Sequence, residues 1–438
     1  MFKDLSLAKK SVSRRTLLKG MGLAVGASVI SGPIWSFAQS GMLMGACIPL
    51  TGGLASFGPR FSVAADIAKE EINAAGGIPG VGPLTILVRD DGTNPDTGVA
   101  AATDLINVNK VPAIFGAAAS GVTIPISSVT IANGVLLISP SATSPAISNL
   151  KDNDLVWRTA PPDSLQGIVL ADLAFNKKGY RKISIIARND AYGEGLADSL
   201  RDNFTKLGGT VLNLSLYDTK ATDYSAEIAA ARAGSPEAIS LITFNEGEQL
   251  LTQMVQAGVT NFDLFVDGNK DQDLMTRVAK AIGVALLKGK VGTAPATATT
   301  AGGAEFTAKY RARLNEDPFV FTPHSFDAIA VTALAAARAK GQGQAITGAN
   351  LAANLRSVAN TPGTEYTIGQ LGAALADAAA GKDINYQGVS GPVEFDSHGD
   401  PFGPVGTWTI DENGKIVDTA TVDCGFDASG GPFCGKLP

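Results

Sequence analysis

Leu43-Met44-Gly45-Ala46-Cys47-Ile48-Pro49-Leu50, followed by Thr51-Gly52-Gly53, is the stretch on which the fold turns. It reads as a short apolar strand closed by a turn. The segment 62–75 then sets Val63, Ile67, Ala68 and Ile72 at helical spacing and stops at Gly76-Gly77. Residues 84–89 form a second apolar strand, closed by Asp90-Asp91-Gly92. A strand, a helix long enough to cross over and another strand make the repeating unit of a parallel sheet.

The unit recurs outward from this stretch. Pro95 suits the first turn of a helix over 96–108. Residues 111–115 and 135–138 are further strands, with a helix over 122–133 between them. After Pro161-Pro162 the rhythm restarts. Strands over 182–187, 211–217, 238–244 and 264–266 alternate with helices over 167–176, 194–207, 224–233 and 246–257. From about residue 302 the pattern is mostly helical, over 304–314, 325–339, 348–358 and 370–380. Gly391-Pro392-Val393-Glu394-Phe395-Asp396 opens a short β-rich end with strands over 406–410 and 415–422. Residues 294–303 are low in complexity and read as a loop. Two such series on one chain predict an α/β fold of two doubly wound, Rossmann-like lobes, each sheet covered on both faces.

Ahead of the first strand, Ser13-Arg14-Arg15-Thr16-Leu17-Leu18-Lys19 precedes a small-residue apolar run over 20–30. This is the layout of a twin-arginine export signal over 1–38, with Ser36-Phe37-Ala38 as the cleavage site. The run is too short, and too interrupted by Pro33, for a transmembrane helix. The reading places the mature protein in the periplasm. About 400 residues remain, more than one core usually organises, which predicts two domains. The chain carries −6 at pH 7; its first 38 residues carry +5, leaving −11 on the rest. Such a balance argues against nucleic acid and anionic lipid as partners. Cys424 and Cys434 lie in a Gly- and Pro-rich tail, and an oxidising compartment predicts a local disulfide between them. His398 alone does not complete a metal site there. Cys47 reads as a small hydrophobe on a buried strand.

The catalytic inventory is thin. His324 and His398 are the two histidines, and neither sits in a nucleophile motif. No Gly-x-Ser-x-Gly elbow or phosphate loop occurs in the mature chain. Asp90-Asp91 reads as a solvated turn. No cofactor or metal site is evident, and the reading is a binding protein and not an enzyme.

Polar clusters fall where an open α/β sheet holds its ligands, past the carboxyl ends of strands. They are Leu50-Thr51-Gly52-Gly53-Leu54-Ala55-Ser56-Phe57-Gly58, Gly116-Ala117-Ala118-Ala119-Ser120-Gly121-Val122-Thr123 and Ser139-Pro140-Ser141-Ala142-Thr143-Ser144-Pro145. Small residues let backbone amides approach a ligand, and Ser and Thr supply hydroxyls. Ser120 opens a helix, a setting that suits a small carboxylate. Each Ser or Thr taken singly reads first as a helix cap; three such clusters together at strand ends point to a site.

These clusters carry a family resemblance. Pro49-Leu50-Thr51-Gly52, Ile72-Asn73-Ala74-Ala75-Gly76-Gly77-Ile78, Phe115-Gly116 with Ser120 and Thr123, and Ile138-Ser139-Pro140-Ser141-Ala142-Thr143 fit it. So do Asp190-Ala191-Tyr192-Gly193-Glu194-Gly195, Ser325-Phe326-Asp327-Ala328 and Gly399-Asp400. The chain resembles a type I periplasmic substrate-binding protein of an ABC importer, of the leucine/isoleucine/valine-binding family. The resemblance implies two lobes, 39–160 with 295–390 and 161–294 with 391–438. It also implies three crossovers, near 160–162, 292–295 and 390–392, and closure on a ligand like a hinged clamp. It implies that Ser120, Ser141 and Thr143, with Ala142 between them, hold the α-carboxylate and help with the ammonium. Phe57 and Tyr192 would line the side-chain pocket, and Phe244 would supply an aromatic with Glu246 close by.

One departure stands out. The family usually sets an acid from the second lobe against the ligand ammonium, and Asn269 falls there, with Asp267 and Asp271 on either side. A buried ammonium without an acid is costly. Either Asp267 or Asp271 takes the role, or the ligand has no α-ammonium. The function implied is an extracytoplasmic receptor that delivers a branched-chain or other apolar amino acid to a membrane permease and its ATPase. The alternatives are a sensor on the same fold for a signalling partner, a receptor for a carboxylate or amide lacking the ammonium, and a secreted hydrolase.

Overall fold

The computed structural model describes residues 41–427 and 429–438. The export-signal reading of residues 1–38 lies outside them. Five parallel strands, β1 (Met42–Ile48), β2 (Leu84–Asp90), β3 (Ala113–Gly116), β4 (Leu136–Ser139) and β5 (Val156–Arg158), form one sheet in the order β2-β1-β3-β4-β5. Five more, β6 (Lys182–Arg188), β7 (Thr210–Tyr217), β8 (Ala238–Ile242), β9 (Phe262–Phe265) and β10 (Val291–Pro295), pair in parallel in the order β10-β9-β8-β6-β7. β11 (Thr364–Tyr366) and β12 (Ile384–Tyr386) pair only with each other. β13 (Val405–Ile410) and β14 (Ile416–Val422) then extend the second sheet antiparallel beyond β10, making it seven-stranded and mixed. β15 (Cys424–Phe426) and β16 (Pro432–Cys434) form a ribbon closed by the Cys424–Cys434 disulfide.

The strand sequences explain their places. β3, β4, β8 and β9 are buried at every position, so their apolar runs do not alternate. β2 and β7 stand at sheet edges and are half-exposed. Cys47 is buried on β1, as a strand residue should be there. Helix Phe57–Ala74 turns Phe57, Phe61, Ala64, Ala68 and Ile72 inward. It begins before the expected residue 62 because Phe57 and Phe61 continue the same stripe. Helix Thr322–Gly341 is buried over nearly its whole length, packed by helices Phe57–Ala74, Gly348–Ala359 and Leu371–Ala379. Among the described residues no helix is long and apolar enough to cross a membrane.

Four local readings are corrected. β5 has only three residues, too few for a period to register. Helix Gln272–Ile282 was not read as an element; Asp271 caps it, accepting from the N–H groups of Asp273 (2.8 Å) and Leu274 (3.3 Å). The stretch 294–303 is not all loop. Ala294 and Pro295 end β10, and Thr300 caps helix Ala301–Leu314 through the Gly303 N–H. The 292–295 stretch is therefore strand, and the chain leaves the second sheet after Pro295. Asp91 is also no solvated turn residue. It is buried beside Cys47, and burial pushes its carboxyl up to about 7.

Buried acids fasten the ends of the first sheet. Asp327 accepts from Tyr386 Oη (2.8 Å), from the N–H groups of Val389 (2.9 Å) and Ser390 (2.8 Å), and from Ser390 Oγ (2.6 Å). It thereby ties the 389–390 passage to helix Thr322–Gly341. Arg158, at the end of β5, makes a fully buried bidentate pair with Asp400: Nε–Oδ1 is 2.6 Å and Nη2–Oδ2 is 2.8 Å. Its Nη1 donates to the carbonyls of Ala142 (3.2 Å) and Ser144 (2.8 Å), which fixes the loop after β4.

Candidate functional site

Both sheets change their direction of growth beside their first strand, between β1 and β3 and between β6 and β8. Open α/β sheets bind ligands at that switch, past the carboxyl ends of the strands. A cavity lies there, with walls from six strand ends. β1 contributes Leu54 and Phe57, β3 contributes Ala118, Ala119 and Ser120, and β4 contributes Ser141. From the other sheet come Tyr192 after β6, Phe244 after β8, and Asp267 and Gly268 after β9. Phe321, at the N-cap of helix Thr322–Gly341, completes the wall. A larger open groove beside it is lined by residues that include Arg60, Lys270, Glu316 and Asp418, and its Arg60 and Lys270 are already paired with acids.

The polar wall is built from two loops stitched together. Gly116 ends β3 at φ +118°, and a Cβ there would stand 1.9 Å from the Cys47 carbonyl oxygen; only glycine lets β3 lie this close to β1 as it turns out of the sheet. Ser139 Oγ donates to the Ala117 carbonyl (2.6 Å) and accepts from the Ala142 N–H (2.9 Å). Ser141 Oγ donates to the Ala118 carbonyl (3.1 Å). Ser120 Oγ accepts from the Ser144 N–H (3.1 Å) and stands in the first turn of helix Ser120–Ala132.

The opposite wall is aromatic with one acid. The Tyr192 and Phe244 rings stack at 5.2 Å, and the Arg188 guanidinium lies 3.9 Å from the Phe244 centroid. Arg188 is held by Asp190 (2.9 Å) and by Glu246. Glu246 is further engaged by Tyr217 Oη (2.6 Å) and the Phe244 N–H (3.1 Å), so it braces Phe244 and is not among the cavity's lining residues. Asp267 is buried and accepts from Gln166 Nε2 (2.8 Å) and Tyr192 Oη (2.8 Å). Among the described residues no Lys or Arg forms an ion pair with it. Burial pushes its carboxyl up to about 6, although these hydrogen bonds pull the other way.

Of the residues singled out in the sequence, Phe57, Ser120, Ser141, Tyr192, Phe244 and Asp267 meet at the cavity. Four do not line it. Ala142 lies buried behind Ser141. Thr143 is fully buried with its Oγ1 unpartnered. Asn269 holds its own turn, accepting from the Val266 N–H (3.2 Å) and donating to Thr243 Oγ1 (2.6 Å). Asp271 caps its helix with Oδ1 and accepts from Ser56 Oγ (2.6 Å) with Oδ2. Phe321 and Arg158 were missed. Aromatic residues at 319 and 321, directly before the helix start Thr322-Pro323, were the available signal for Phe321; no local pattern marks Arg158.

A match to a family model and the likeness to known proteins now bear on this geometry. The family model described as periplasmic binding protein matches residues 44–398. The chain belongs to the periplasmic binding protein family. An amino acid binding protein of Pseudomonas aeruginosa is 31% identical over 60% of this chain and 70% of its own. A Leu/Ile/Val-binding protein homologue of Brucella suis is 29% identical over 74% of this chain and 84% of its own. The crystal structure of a leucine binding protein from Thermotoga maritima superposes with a TM-score of 0.73 at 22% identity, covering 87% of this chain and 99% of that one. The chain is thus a type I binding protein of the branched-chain amino acid family. This family consists of solute receptors and not enzymes, and it is extracytoplasmic in character.

The uncompensated acid has a measurable consequence. A carboxyl whose folded pKa is raised adds stability that is complete below its ordinary value of 3.8 and is lost as pH rises through about 6. In ligand-free protein, Asp267→Asn is expected to gain roughly 1–3 kcal/mol relative to wild type between pH 4 and pH 7. Denaturant unfolding across that range checks it. Buried His324, pushed down to about 3, slopes the opposite way in both proteins and cancels in the difference.

Proposed function

We propose that the protein is an exported receptor for an apolar α-amino acid, of branched-chain size, which it delivers to an ABC importer. The observation that carries this reading is Asp267: a buried acid on the cavity wall with no cation partner among the described residues, facing a cavity otherwise lined by aromatic rings, Leu54, two alanines, a glycine and two serines. An ammonium supplies the missing charge. The helix start at Ser120, with the Ser120 hydroxyl that accepts from the Ser144 N–H and keeps its own proton to donate, offers the carboxylate its donors. Phe57, Tyr192, Phe244, Phe321 and Leu54 offer an apolar side chain its contacts.

The lobes are 39–160 with 295–390 and 161–294 with 391–438, a division supported by the membership of the two sheets. Membrane permease and ATPase subunits are the partners, and the twin-arginine signal over 1–38 leads the protein to the periplasm. The family supports the first of these, and the residues quoted from 13 to 19 support the second. Thermal unfolding of ligand-stripped protein against the common amino acids tests the reading. A ligand at about 100 times its Kd adds roughly 2.7 kcal/mol. Stabilisation by leucine, isoleucine or valine supports it, and no stabilisation by any amino acid contradicts it.

Closure is held outside the cavity as well. Arg60, on helix Phe57–Ala74, reaches Asp273 on helix Gln272–Ile282 at 3.2 Å, and Ser56 reaches Asp271. Beyond these, the Asn245 N–H donates to the Gly53 carbonyl at 3.3 Å, and Ser144 Oγ to the Ala191 carbonyl at 2.6 Å. The Arg60–Asp273 pair is partly exposed, so its loss is a matter of about 0.5–1 kcal/mol. Asp273→Asn is expected to speed ligand dissociation by about two- to fivefold without changing the ranking of ligands. Stopped-flow dissociation rates check this; an altered ranking contradicts it.

A further inference from the structure

Asp163 begins helix Asp163–Asp172, just after the chain's first passage between the sheets. It is fully buried, and its N–H donates to the Thr143 carbonyl (2.8 Å). Neither of its carboxylate oxygens has a hydrogen-bond partner among the described residues. Gln166, one turn further on, donates to Asp267 (2.8 Å), which brings this helix against the acid of the cavity wall. The Gln166 Oε1 atom is buried and unpartnered as well. Two buried acids thus stand near each other, and neither has an ion-pair partner among the described residues. Arg158, whose charge favours ionised Asp163, is committed to Asp400 at 2.6 Å. The remaining titratable neighbour is Tyr192, which donates to Asp267. Burial raises the Asp163 carboxyl well above the ordinary range and the charge of Asp267 raises it further, against the nearby Thr143 hydroxyl and the Arg158 charge, which both favour the ionised form.

We propose that Asp163 and Asp267 act as one proton-holding pair: a single proton resides on the pair in the ligand-free protein, and the ligand ammonium takes its place, so that binding releases a proton. The step balances simply. A carboxyl O–H bond breaks, the proton passes to solvent, and the ammonium supplies the positive charge that the proton had supplied. Asp163 is a positioning residue in this scheme, acting on the ligand through Asp267. The scheme rests on the amino-acid reading above.

Titration calorimetry of ligand-stripped protein with L-leucine, at pH 6 in buffers of low and high ionisation enthalpy, tests it. The expected result is a buffer-dependent heat equivalent to about one proton released per leucine, shrinking toward pH 8 as the pair ionises. Asp163→Asn is expected to bind leucine with clearly less than one proton released, the remainder coming from Asp267, whose own carboxyl burial pushes up to about 6; a purely structural role for Asp163 would not change that number. Leucine binding with the same heat in both buffers overturns the proposal and leaves the receptor reading standing. Failure of leucine to bind strikes the receptor reading instead. The pair is then judged on ligand-free unfolding from pH 4 to 7, where wild type should lose stability relative to Asp163→Asn as pH rises. Parallel curves overturn it. Should Asp163→Asn not fold, Asp163→Ser serves in both comparisons.

Discussion

Arg158→Ala is expected to destabilise the protein by about 3–5 kcal/mol, the usual cost of leaving a buried acid without its cation. The guanidinium is fully buried and grips both oxygens of Asp400, while its other donors reach Ser148 Oγ (2.7 Å) and the Ala142 and Ser144 carbonyls. Removing it strands Asp400 and frees the loop that carries Ser141. Arg158→Lys should recover only part of the loss, because a single ammonium cannot span the fork. Replacing both partners with apolar residues of similar volume should cost less than Arg158→Ala alone. Denaturant midpoints measure all three. A loss below about 1 kcal/mol for Arg158→Ala would place the pair among those that contribute little.

Asp267→Asn is expected to weaken L-leucine binding by about 2–5 kcal/mol, roughly thirtyfold to several-thousandfold in Kd. The substitution keeps the shape and still accepts from Gln166 and Tyr192, so the loss reports the charge. Asp271→Ala separates this account from the other acid assignment open in the sequence, and Asn269→Ala tests the residue that falls at the family's acid position. Asn269 is turned toward Thr243, and Asp271 toward Ser56 and its own helix. Both changes should affect stability, by about 1 kcal/mol for the lost cap, more than they affect ligand ranking. Calorimetric titration distinguishes them; a ligand that binds Asp267→Asn as tightly as wild type contradicts the role given to the acid.

Much of this was legible in the sequence because parallel sheets write themselves plainly. The runs that became β1, β3, β4, β6 and β8 are continuous and apolar, since both faces are covered, and glycines close the helices between them. The residues past those strand ends then had to meet, because the connections bring the carboxyl ends of both sheets to one place. What escaped was set by tertiary context. β5 is too short to show a period, and β10 is paired on one side by a strand more than 100 residues later. Phe321 reaches the cavity from a helix start with no strand before it. Which acid of the Asp267-Gly268-Asn269-Lys270-Asp271 run faces the cavity depends on a single helical turn over Asp267–Asn269 and a cap at Asp271, and spacing alone does not resolve two such neighbours.

The proposed role of Asp267 is to meet a ligand ammonium inside the cavity. Its most direct test is a paired titration of ligand-stripped protein with L-leucine and with 4-methylpentanoate, the same molecule without its ammonium. The expected result is saturable binding of leucine and binding of the acid weaker by about two orders of magnitude or more, the cost of leaving a buried charge unpaired. Equal or tighter binding of 4-methylpentanoate would contradict the account. It would leave the two-lobed receptor in place but assign its cavity to a ligand without the cation.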